Sequence, residues 1–169
     1  MAPMLTLLEQ LKQLTITDAD GRERTAEWKV GASQEQMDCL ESLLGVALPH
    51  DFKQFLSHSD GGFIFGLDLM GSMGIRANAQ LIPFHNWGNG DFDCLSPKGD
   101  KFEVVFMNHS ADVTVRIADS FTDWLTRVTQ ELSRTGCLLH PGDYRHRRGS
   151  GVYAHVLEEL RGIDCELNR

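Results

Sequence analysis

The chain has 169 residues, 41% of them hydrophobic, with a formal net charge of -8 at neutral pH and a pI near 5.3. That length suits one packed domain, and so acidic a surface repels phosphate backbones, which argues against nucleic acid and for a basic partner. Met1-Ala2-Pro3-Met4 has no cationic region, and Glu9 and Lys12 interrupt the first apolar run, so no secretory signal, no membrane span and a cytoplasmic location are expected.

Met4, Leu7, Leu8, Leu11 and Leu14 stand at helical spacing and predict a short amphipathic first helix. Residues 17–32 are polar and carry Asp18, Asp20 and Gly21, the pattern of a loop or hairpin, with a strand candidate around residues 28–30. Ser33 and Gln36 form a capping-box pair, after which Met37, Leu40, Leu43 and Leu44 supply an apolar face up to Gly45. Pro49 suits a first helical turn, Asp51 complements the positive helix end, and Phe52, Phe55 and Leu56 share one side until Gly61-Gly62.

Beyond the glycine pair the period becomes extended. Residues 63–65, 81–84, 91–95, 102–107 and 113–117 are strand candidates; Asn89-Gly90 and Pro97-Lys98-Gly99-Asp100 mark turns. Val113, Val115 and Ile117 alternate with Thr114 and Arg116, as in an antiparallel sheet with one wet face. Ser120 and Asp123 open a last clear helix with Phe121, Trp124, Leu125, Val128 and Leu132 in phase up to Gly136. A polar, locally basic loop holding Tyr144, Arg145, His146, Arg147 and Arg148 leads to a closing helix with Tyr153, Val156, Leu157 and Leu160.

The stretch Leu40-Glu41-Ser42-Leu43-Leu44-Gly45-Val46-Ala47-Leu48-Pro49-His50-Asp51-Phe52-Lys53-Gln54-Phe55-Leu56, ending on Ser59-Asp60-Gly61-Gly62, resembles the opening motif of the SUKH superfamily, the Smi/Knr-like group. Ile82-Pro83-Phe84, Asn89-Gly90-Asp91-Phe92, residues 104–109 and residues 117–125 follow that family's order of strand, loop, strand and closing helix. The resemblance spans about residues 33–130. The first helix and the helical C-terminal extension are then decorations of one SUKH-like domain over residues 1–169. Ser96 and Ser110 depart from the family, which tends to carry acidic residues at those two places. The resemblance implies an α+β fold, a mainly antiparallel sheet flanked by helices, and a role in protein recognition. In bacteria that role is often immunity against a cognate polymorphic toxin, frequently a nuclease.

The residues offer several chemistries. Asp91 and Asp93 alternate on a strand candidate and suit a shared cation or an acid/base pair, yet two carboxylates fall short of a metal shell. His109 is a candidate base oriented by Asp60 or Asp91. The seven histidines contain no H-E-x-x-H, no serine sits in a G-x-S-x-G elbow, and Gly62, Gly66, Gly71 and Gly74 form no phosphate-cradling motif. Cys39, Cys94, Cys137 and Cys165 contain no C-x-x-C pair, so four reduced, mostly buried thiols are expected, with no metal and no cofactor.

The favoured surface is the loop Phe84-His85-Asn86-Trp87-Gly88-Asn89-Gly90-Asp91, with Asp60 and Asp93 nearby: Trp87 as an aromatic anchor ringed by carboxylates and facing a basic protein. Trp87 capping the core is the competing reading. The sequence therefore points to a non-enzymatic immunity protein that binds a cognate toxin or another basic protein. A regulatory or scaffold adaptor of the Smi/Knr type is the alternative, followed by a small metal-dependent hydrolase using Asp91, Asp93 and His109.

Overall fold

The computed structural model describes residues 4–18, 20–76, 80–110, 112–136, 138, 140–141, 151–156 and 158–160. Helix α1 (Met4–Gln13) buries Met4, Leu7, Leu8 and Leu11, the stripe its spacing predicts. The polar stretch after it forms a small hairpin, β1 (Ile16–Thr17) with β2 (Glu23–Arg24), and then strand β3 (Ala26–Trp28). In α2 (Gln34–Leu44) both halves of the capping box are made: Ser33 Oγ accepts from Gln36 N and Gln36 Oε1 accepts from Ser33 N. Gly45, at φ 68°, closes the helix onto Glu41 O.

The apolar face of α2 is narrower than expected. Met37 and Leu40 are buried and Leu44 is half-buried, whereas Leu43 is 64% exposed. At about 100° per residue Leu43 stands off the seam that Met37, Leu40 and Leu44 share. Helix α3 (His50–His58) buries Phe52, Phe55 and Leu56. Its Asp51 does more than complement the helix end, because Asp51 Oδ2 accepts from both the backbone N–H (2.9 Å) and the Oγ1 (3.0 Å) of Thr122. One carboxylate thereby fixes α3 against the first turn of α4 (Phe121–Thr135). Ser120 caps α4 by accepting from Asp123 N, while the Asp123 carboxylate reaches back to Asp119 N, one residue short of the reciprocal box.

The main sheet is an antiparallel meander in which every strand pairs with its sequence neighbours: β3, β4 (Gly62–Ile64), β5 (Leu67–Leu69), β6 (Ile82–Asn86), β7 (Phe92–Lys98), β8 (Lys101–Asn108) and β9 (Val113–Ala118). Strand β5 lies outside the predicted segments because three residues are too short to display a period. Inward residues Ile64, Leu69, Ile82, Leu95, Val104, Phe106, Val115 and Ile117 join α1, α3 and α4 in one core. Its centre is aromatic: Phe52, Phe55, Phe84, Phe121 and Trp124 touch ring to ring at 4.7–6.1 Å.

A bulge interrupts the β6–β7 register. Pro83 pairs with Cys94 and His85 with Asp93, so Phe84 is the extra residue. The local turn of the strand buries Phe84 and His85 side by side, where strict alternation would separate them. After α4, Tyr153, Val156 and Leu160 are buried, with helical residues at 154–156 and 158–160. The basic stretch from Tyr144 to Arg148, Leu157, Cys137 and Cys165 lie outside the described residues. Of the other two cysteines Cys94 is buried and Cys39 is exposed. Burial, helped by the charge of Asp93, pushes the Cys94 thiol far up, which keeps it protonated and unreactive.

Candidate functional site

Strands β6 and β7 are joined by residues 87–91, closed by Trp87 N–H donating to Asp91 O at 3.1 Å. The Asn89-Gly90 signal marks this connection, although the loop has five residues and its positive φ angles fall on Gly88 (80°) and Gly90 (96°). Gly90 is required twice over: its backbone is left-handed, and a β-carbon there would meet the His109 ring at 3.1 Å. Asn89 Oδ1 accepts from Asp91 N, a local Asx turn that stiffens the exposed tip.

The carboxylates expected to ring Trp87 at the surface point inward. Asp91 is 1% exposed and Asp93 0%. The reason is the donors around them. Asp91 accepts from His109 N (3.0 Å), His109 Nδ1 (2.7 Å), His140 Nε2 (2.7 Å), Asn89 Nδ2 and Asn108 Nδ2 (both 3.3 Å). Asp93 accepts from His85 Nδ1 (2.7 Å), the Tyr153 hydroxyl (2.6 Å) and Trp87 Nε1 (3.3 Å). Indole nitrogens only donate, so the chain has one direction: Trp124 Nε1–H to the Tyr153 oxygen at 3.0 Å, then Tyr153 O–H to Asp93. Trp87 is half-buried between the two networks, its ring 4.7 Å from His85, 5.0 Å from His140 and 5.3 Å from Tyr153.

Asp60 stands apart from this hairpin end. Its carboxylate accepts from Ser72 N and Ser72 Oγ and so holds the 71–74 turn, whose Gly71 backbone packs against Asp60. Trp87, Asn89, Asp91 and Asp93 thus form one unit, and Asp60 belongs to another. His140 and Tyr153 carry no binding role in the reading of the sequence, and His85 enters it only as a member of the loop at residues 84–91. The local sign of His85 is a histidine directly after the apolar run Ile82-Pro83-Phe84; Tyr153 reads as a helix-stripe residue.

Burial raises the carboxyl of Asp91, but hydrogen bonds from the His109 backbone and ring and from His140 outweigh it and hold the pKa below the ordinary range. A depressed carboxylate contributes stability that is fully present above its unfolded value and disappears as the pH falls through the folded one. The difference in stability between the wild type and Asp91→Asn, measured by urea unfolding, is therefore expected to be about 2–3 kcal/mol at neutral pH and to shrink below about pH 4. A difference independent of pH would exclude an ionised Asp91 as its source.

His109 is oriented by Asp91, one of the two partners expected for it, and Ser110 Oγ lies 3.1 Å from His109 Nε2. This hydroxyl–imidazole–carboxylate order sits on the exposed β8–β9 turn, with the His109 side chain 50% exposed, where water competes for every group. Among the described residues no group of three or more His, Cys, Asp or Glu side chains is placed to hold a metal ion. No described helix is long and apolar enough to cross a membrane.

A helix-backed antiparallel meander carrying a rigid, pinned hairpin end places the molecule among small α+β proteins. The model of the SMI1 / KNR4 family (SUKH-1) matches residues 31–127, more than half of the chain, and the protein belongs to that family. No curated protein matches it. The matched segment runs from just before α2 into α4 and includes His85, Asp91, Asp93 and His109; His140 and Tyr153, which complete the two networks, come from outside it.

Proposed function

We propose that this chain is a non-enzymatic protein-binding module, an immunity protein that neutralises a cognate bacterial toxin by docking the hairpin end at residues 87–91 onto a basic face of that toxin. The observation that carries this reading is the pinning of an exposed loop from beneath. Gly88, Asn89 and Gly90 are exposed, whereas Asp91, Asp93 and Trp87 below them are tied to three strands and to the segment after α4. A loop already rigid before it binds loses little conformational entropy on docking. Membership of the SMI1 / KNR4 family supports a recognition role. The net charge of -8 supports a basic partner.

Affinity capture from the native host, followed by hydrogen-exchange mapping of the complex, tests it. The expected result is a captured toxin whose presence protects residues 86–91, with affinity falling about tenfold or more between about 50 and 500 mM salt. Protection confined to other surfaces would overturn the docking face. A captured partner without toxic activity, bound at the same loop, would turn the reading to the regulatory adaptor.

A further inference from the structure

Beside the hairpin lies a cavity of about 360 Å³, lined among others by His85, Trp87, Phe65, Asp18, Asp20 and Arg24. Its size is at the lower end of the ~300–1,000 Å³ of small-molecule sites, enough for one long side chain. His85 Nδ1 lies 2.7 Å from Asp93 Oδ2, and in the neutral tautomer that donates Nδ1–H to this carboxylate Nε2 is left as an acceptor. His85 is 2% exposed, and no described residue hydrogen-bonds its Nε2. His85 lines the cavity, and Nε2 is the one polar atom its ring has left to offer there.

The other polar groups of the wall define what that acceptor can meet. Asp18 is already satisfied, by Arg24 Nε at 2.8 Å and by the backbone N–H groups of Asp20 and Arg22. The Asp20 carboxylate is exposed, and no described residue forms a hydrogen bond or ion pair with it. The cavity thus offers one uncompensated negative charge at its rim, an acceptor nitrogen in its wall and the aromatic rings of Trp87 and Phe65. A guanidinium matches this set: it is planar, carries five donors and no acceptor, stacks on aromatic faces, and sits on an apolar stem.

We infer that the cavity between the 18–24 hairpin and Trp87 receives an arginine side chain of the bound partner, with His85 Nε2 as a hydrogen-bond acceptor and Asp20 as the counter-charge. This rests on the docking reading above and adds the chemistry of the anchor. It is tested on the free protein, so that its failure is separable from that of the docking face. Nitrogen-15 and proton NMR spectra of His85 and Trp87 are followed at about pH 8, above the ordinary imidazole range, during titration with N-acetyl-arginine amide, its neutral isostere N-acetyl-citrulline amide and N-acetyl-glutamate amide. The arginine derivative is expected to shift both residues saturably, the citrulline derivative to bind about tenfold more weakly and the glutamate derivative not at all. Asp20→Asn, a change on the exposed rim outside the folding networks, is expected to weaken the arginine derivative about three- to tenfold. Equal binding of arginine and citrulline derivatives, preference for glutamate, or shifts that leave His85 untouched would each overturn the inference, even where hydrogen exchange still places a partner on residues 86–91.

Discussion

Replacing Asp93 by alanine is expected to lower stability by about 3–5 kcal/mol, the usual cost of removing one member of a buried charged network. The carboxylate is wholly buried and accepts from His85 and Tyr153, both buried, and from the half-buried Trp87, so its removal takes the acceptor from three donors at once. Asp93→Asn is expected to recover only part of that loss, because its amide nitrogen must face at least one of the same donors. Tyr153→Phe, which deletes the hydroxyl linking Trp124 to Asp93, should cost about 1–2 kcal/mol. Asp93 and Tyr153 should be coupled in a double-mutant cycle by urea unfolding. A loss below about 1 kcal/mol for Asp93→Ala would mean that the three donors find other partners.

Phe121→Ala should be about as damaging, at about 3–5 kcal/mol. Phe121 opens α4, is 1% exposed, and meets four rings: Phe52 at 4.9 Å, Phe55 and Phe84 at 5.1 Å, and Trp124 at 5.7 Å. Truncation empties the point where α3, α4 and β6 converge, and the neighbouring rings are too rigid to fill it. At roughly 2–4 °C per kcal/mol for a chain of this size, the melting temperature should fall by about 10–15 °C with the urea m-value unchanged. A changed m-value would instead show that the folded or unfolded state had altered its exposed surface.

The helices were legible because their signals are local. Ser33 with Gln36, Gly45, Ser120 and Gly136 stand at the boundaries the structure adopts, and the stripe of α4 is buried as spaced. The strands from β6 to β9 were legible from their alternation and turn residues. The candidate site was legible in its members more than in its arrangement. Trp87, Asn89, Asp91 and Asp93 do share one hairpin end, but a charged residue on a strand reads as solvated until its donors are known.

The order of amino acids by itself determined an acidic α+β chain, its SUKH-like motif, four capped or striped helices and an antiparallel run of strands, because each depends on neighbours a few residues apart. Tertiary structure alone decided that Asp91 and Asp93 face inward, since their donors come from β6, β8 and the segment after α4, with Tyr153 sixty residues beyond Asp93. It also decided the aim of His85: the bulge at Phe84 turns that ring to Asp93, and a one-residue change of register is energetically a matter of what each face can bury.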